Sequence, residues 1–195
     1  MHLRRAMALG ALCAALTGLL SPPASATTEA TTEATAQATT LSISQLVQEQ
    51  NQWCWAASGL TIARFLGYGG GVSQNTFCDY SRGYPAGSQC PNQAGELTYV
   101  QRGYQALGLR PGTVTGALSL ASVQAEIGAR RPVETGIYWT AGGGHAQVIY
   151  GYDASGLVYY GDPWPSSQRY SAMAHSSYVR NGQFQWAQSL YRIGA

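Results

Sequence analysis

The chain is 195 residues long, 45% hydrophobic and only 10% charged, which suits one folded domain and excludes a highly charged disordered protein. Its formal charge is +2, and each of the 11 cationic side chains is an Arg. These are scattered, leaving no basic patch to follow a phosphate backbone, so no nucleic-acid partner is expected.

Residues 1–26 read as a signal peptide. His2, Arg4 and Arg5 form a positive start, Ala6 to Leu20 an apolar run, and Ala24-Ser25-Ala26 a small-residue cleavage site. The apolar run is short for a membrane span, and no later stretch approaches the ~18 apolar residues that would suggest one. A secreted, extracellular protein without stable membrane insertion is therefore expected. Arg4-Arg5 leaves both the general and the twin-arginine export routes open. Residues 27–40, TTEATTEATAQATT, hold no large apolar side chain and read as a linker or short pro-segment. One compact domain is expected over residues 41–195.

Within that domain, LSISQLV leads toward a helical pattern from Cys54 to Leu66, where apolar residues recur near helical spacing and Gly67 supplies a stop. After residue 26 the cysteines are Cys54, Cys78 and Cys90, an odd number for an oxidising compartment. Cys78 and Cys90 bracket a segment rich in Gly, Ser, Tyr and Pro, which predicts a local loop-closing disulfide and leaves Cys54 free. A free Cys between two Trp residues is either a small buried hydrophobe or a nucleophile. Its place at a helix N-terminus, where unpaired N–H groups favour an anion, argues for the nucleophile. Gln48, Gln50 and Gln52 precede it, and each could turn an amide N–H toward an oxyanion.

Two further helical patterns follow, around Ala94 to Leu107 and Leu120 to Ile127, then strand-like segments at Val133 to Trp139, Ala146 to Tyr152, Leu157 to Tyr160 and Phe184 to Ile193. A thiolate nucleophile needs a base, and after residue 26 only His145 and His175 are available. His145 follows Gly142-Gly143-Gly144 at the mouth of a strand, a rigid mount. His175, in SAMAHSSYV, reads as a solvent-exposed side chain in an irregular stretch. Asp162, after LVYYG and before Pro163-Trp164-Pro165, can orient the base, although a turn before proline uses Asp for its own reasons. Two histidines and scattered cysteines show no zinc-type spacing, so no metal site and no cofactor are expected.

The set Gln48, Trp53-Cys54-Trp55-Ala56-Ala57-Ser58, Gly144-His145-Ala146 and Asp162-Pro163-Trp164 resembles the papain-like cysteine proteases. It is most similar to their compact bacterial branches, the avirulence-type proteases of plant pathogens, the staphopains and the bacteriocin-leader peptidases. The resemblance implies an α+β fold, with an N-terminal helical part that carries the nucleophile helix packed on a C-terminal antiparallel sheet. It implies Cys54 as nucleophile, His145 as base, Asp162 as its orienting partner, and a polypeptide substrate. It also selects Gln48, six residues before the cysteine, to share an oxyanion hole with the Cys54 N–H, and gives Trp164 the task of shielding the His–Asp pair. Two departures stand out. Asn51 occupies the position of a disulfide-bonded Cys in papain, and Asp162 replaces papain's Asn, as in related compact branches. Residues 72–111 match no part of the pattern. Peptidoglycan amidases and endopeptidases of related fold use the same Cys–His chemistry, and 13 Tyr with 5 Trp would also suit a non-catalytic binding surface.

Overall fold

The computed structural model describes residues 37–195, so the expected signal peptide and most of the Thr/Ala-rich segment lie outside the described residues. The first element, β1 (Thr39–Thr40), falls inside the stretch read as linker or pro-segment. It pairs with the strand that ends at Tyr152.

The LSISQLV segment is extended coil, and it leads to α1 (Cys54–Phe65). Every residue from Trp55 to Ala63 is buried, as befits a helix apolar on all sides and placed at the centre of the domain. Next comes α2 (Gln74–Arg82), absent from the sequence reading. Its polar composition hides it, but its ends are well signalled. The Ser73 hydroxyl accepts the Thr76 N–H at 3.1 Å, and Gly83 closes the helix in the left-handed conformation at φ 75°. The third helix, α3 (Leu97–Ala106), starts three residues later than its pattern suggested. All three meet around Phe77. A Cβ on Gly59 of α1 would lie 2.9 Å from that ring and one on Gly103 of α3 2.8 Å, so two glycines make its space. The expected disulfide is present, joining Cys78 on α2 to Cys90 on the segment that runs toward α3.

The second half contributes β2 (Thr113–Thr115), α4 (Leu120–Gly128), β3 (Val133–Trp139), β4 (Gly144–Tyr152), β5 (Leu157–Gly161), β6 (Tyr170–Ala174), α5 (His175–Val179) and β7 (Phe184–Tyr191). These strands form one antiparallel sheet in the order β2-β7-β3-β4-β5-β6. β1 pairs with Gly151 and Tyr152 at the end of β4, beyond the reach of β3. Central strands β3 and β4 are buried over most of their length, while edge strand β6 alternates between exposed and half-buried. The helices α1 and α4 pack on β4 and join the sheet in one core that includes Trp55, Leu60, Ile137, Val148 and Trp186. This is the α+β arrangement expected. His175 is a correction. It is half-buried at the head of α5, and its Nε2 donates to the Leu118 carbonyl at 2.9 Å.

Candidate active site

A cleft of about 690 Å³ opens between the helical layer and the sheet, with Cys54 and Trp55 on one wall and Ile137, Trp139 and His145 on the other. Cys54 is the first residue of α1, half-buried, and outside any disulfide. Its N–H belongs to the first helical turn, where no carbonyl of the same helix lies four residues back to accept it. One turn further along, the Ser58 hydroxyl donates to the Ala146 carbonyl of β4 at 3.3 Å. That buried bond ties the helix to the strand beside His145.

His145 and Asp162 come together because antiparallel pairing sets β5 beside β4, with Gly161 opposite Val148. The His145 Nε2 lies 2.8 Å from Asp162 Oδ1, and both residues are buried. Asp162 Oδ1 also accepts the Trp164 N–H at 2.8 Å, and Oδ2 accepts the Gln147 amide at 2.8 Å. Burial opposes ionisation of Asp162, but His145 overrides it through hydrogen bond and charge, and with the Trp164 and Gln147 donors it holds the carboxyl below its ordinary value. Burial likewise disfavours a charged His145. The hydrogen bond to Asp162, then the hydrogen bond and charge of Cys54, outweigh it and raise the ring from 6.5 to about 9. With Nε2 taken by Asp162, Nδ1 is the ring nitrogen left for Cys54.

Two indoles enclose this imidazole. Trp139 stacks on it at 6.0 Å between ring centroids and 23° between planes, while Trp164 meets it edge-on at 6.4 Å. Trp164 is 41% exposed. Glu134 on β3 is fully buried. Burial first, and then the negative charge of Cys54, hold its carboxyl well above its usual range.

The helical wall of the cleft is built from backbone. A Cβ on Gly95 would fall 2.3 Å from the Trp55 indole, so only glycine lets the chain lie against that ring. The Trp55 Nε1 donates to the Gln93 carbonyl at 3.2 Å, and the Arg82 guanidinium donates to Gln93 and Ala94 at 3.2 and 2.7 Å. Among the three glutamines, Gln48 is buried and outside the cleft lining. Its Nε2 donates to the Gln50 carbonyl at 2.8 Å, and its Oε1 has no partner. Gln52 is exposed and lines the cleft. Sequence reasoning missed Gln147, although a spacing of two along a strand sets it on the same face as His145. It also missed Trp139, which no motif marked.

A buried carboxylate–imidazole pair facing a free cysteine across a cleft is the equipment of a thiol hydrolase. Comparison of the sequence with family models finds a match over residues 35–181 to the family described as papain-like cysteine protease AvrRpt2. The chain belongs to this family. The protein is thus a cysteine protease of α+β papain-like fold, and a polypeptide is its expected substrate. Among solved structures it is similar to a double glycine motif protease from an AMS/PCAT transporter, determined in complex with the leader peptide. The identity is 15% over 78% of this chain and 92% of that one, with a TM-score of 0.49. The comparison with curated proteins finds no match.

Proposed function

We propose that this protease is a secreted endopeptidase that cleaves polypeptides through a thioester on Cys54. The observation that carries the reading is the 2.8 Å bond from His145 Nε2 to Asp162, which leaves Nδ1 for the thiol. The Cys54 thiolate attacks the scissile carbonyl carbon, and the resulting oxyanion is held by the Cys54 N–H and by the second amide hydrogen of Gln48. His145 passes its Nδ1 proton to the leaving amine as the C–N bond breaks, and the acyl group stays on sulfur. Neutral His145 then takes a proton from water, whose oxygen attacks the thioester and releases the acid and the thiol. Asp162 fixes the imidazole tautomer throughout and stabilises its charged form. Trp164 keeps water from the His–Asp bond. The Cys78–Cys90 disulfide suits an oxidising exterior, and no helix among the described residues is long and apolar enough to cross a membrane.

The test is digestion of an unfolded protein mixture under mild reduction by wild type and by Cys54→Ala, with new peptide termini read by mass spectrometry. Termini made by the wild type alone are expected. If neither protein cuts and Cys54 reacts with an alkylator no faster than an ordinary exposed thiol, the reading is wrong. Clearing of cell-wall suspensions without proteolysis would replace it with peptidoglycan hydrolysis.

A further inference from the structure

We propose that Gln147 is a positioning residue that holds the Asp162 carboxylate in place, its own amide locked by Tyr178, an assignment that rests on the catalytic reading given above. Gln147 is buried on β4, and both ends of its side-chain amide are taken up inside the protein. Its Nε2 donates to Asp162 Oδ2 at 2.8 Å, and its Oε1 accepts the Tyr178 hydroxyl at 2.9 Å. The Tyr178 oxygen also lies 2.7 Å from the Thr135 hydroxyl, and both residues are fully buried.

Donor accounting gives this chain a direction. Tyr178 has one hydroxyl proton and commits it to Gln147, so at the 2.7 Å contact its oxygen accepts from Thr135, whose one proton also has the Gln147 backbone carbonyl within reach at 3.3 Å. Protons then run from Thr135 to Tyr178, to Gln147, to Asp162. A flipped amide would set Oε1 against the carboxylate, two acceptors facing each other. The charge of Asp162 and the Tyr178 proton therefore enforce the same orientation.

The consequence falls on the plane of the carboxylate. The terminal torsion of Asp is broad, and Oδ1 alone, with its bonds to His145 and Trp164, leaves the group free to swing. The third bond, on Oδ2, stops that rotation and aims Oδ1 at His145 Nε2. It also stabilises the ionised form, as donors to a carboxylate do. Removing it would leave one oxygen of a buried carboxylate without a partner.

Gln147→Met keeps the volume and deletes the donor, and Tyr178→Phe keeps the donor and deletes its lock. Hydrogen bonds to charged groups set the scale, so Gln147→Met should lower kcat about ten- to a hundredfold with KM nearly unchanged. Tyr178→Phe should do the same to a smaller degree. The carboxyl carbon of Asp162, followed by NMR, should titrate at higher pH in Gln147→Met than in wild type. An unchanged Asp162 titration in either folded variant, or a rise in KM alone, overturns the proposal. The titration needs no turnover. If the wild type hydrolyses nothing, the catalytic reading falls, and the titration still decides whether Gln147 holds the carboxylate.

Discussion

Replacing Asp162 by Ala tests the electrostatic core of the site. In the intact protein the His145 ring is raised from 6.5 to about 9 against the opposing effect of burial. At ~1.4 kcal/mol per pH unit, that difference corresponds to roughly 3 kcal/mol in favour of the imidazolium, with the hydrogen bond to Asp162 the largest favourable effect and the hydrogen bond and charge of Cys54 next. Without the carboxylate, burial and Cys54 remain with opposite signs, so the ring should titrate about one to two pH units lower. The free-enzyme profile of kcat/KM reports that titration as its alkaline limb. The limb should lie near 9 in wild type and move down in Asp162→Ala, while kcat falls about ten- to a hundredfold, the rate equivalent of one to two pH units. NMR of the His145 ring provides the same number without substrate. An alkaline limb and a ring titration that stay at the wild-type value would refute the assignment of Asp162 as the group that sustains the imidazolium.

Stability should track the same proton. His145 binds it more tightly folded, at about 9, than unfolded, at 6.5, so its contribution is complete below 6.5 and lost as pH rises through 9. Urea midpoints of wild type and His145→Ala should therefore converge between about pH 6 and about pH 9.5. Gln48→Ala should cost about a hundredfold in kcat and Gln52→Ala far less, measured on one peptide under single-turnover conditions. Replacing Cys78 and Cys90 together by Ser should cost about 3 kcal/mol in chemical denaturation, as expected for the 12-residue separation. It should also raise KM, because the released segment leads into the Gln93–Gly95 wall.

Much of this was legible in the residues. Val133–Trp139 is a strand with the bounds its composition gives, and Cys54 opens a helix because the apolar spacing starts there. Cys54 could be singled out as the odd cysteine at the start of a helical pattern, and His145 and Asp162 because each sits at a strand end marked by glycine or proline. The gaps have physical causes. α2 carries few apolar residues, and what secures it is a phenylalanine fitted against glycines of two other helices, a complementarity that no local pattern displays. β6 is an edge strand whose inner positions are only half-buried, so YSAMA carries no strongly apolar face. β1 is two threonines whose only cue is the strand they pair with. Gln147 is ordinary as a sequence symbol, and its meaning comes from β5 delivering Asp162 beside it.

The mounting of the site on two different layers divides its mechanical behaviour. His145 and the strand leading to Asp162 share one hydrogen-bonded ladder, whereas Cys54 rides on α1 and is registered to that ladder by the Ser58–Ala146 bond. A separation of helix layer from sheet would therefore lengthen the sulfur-to-imidazole distance and leave the imidazole–carboxylate bond, held within the sheet, intact. A ligand that wedged the cleft apart would part sulfur from imidazole and remove the support of Cys54 for the ring's proton, while the His145–Asp162 bond stayed formed, and closure alone would restore the pair.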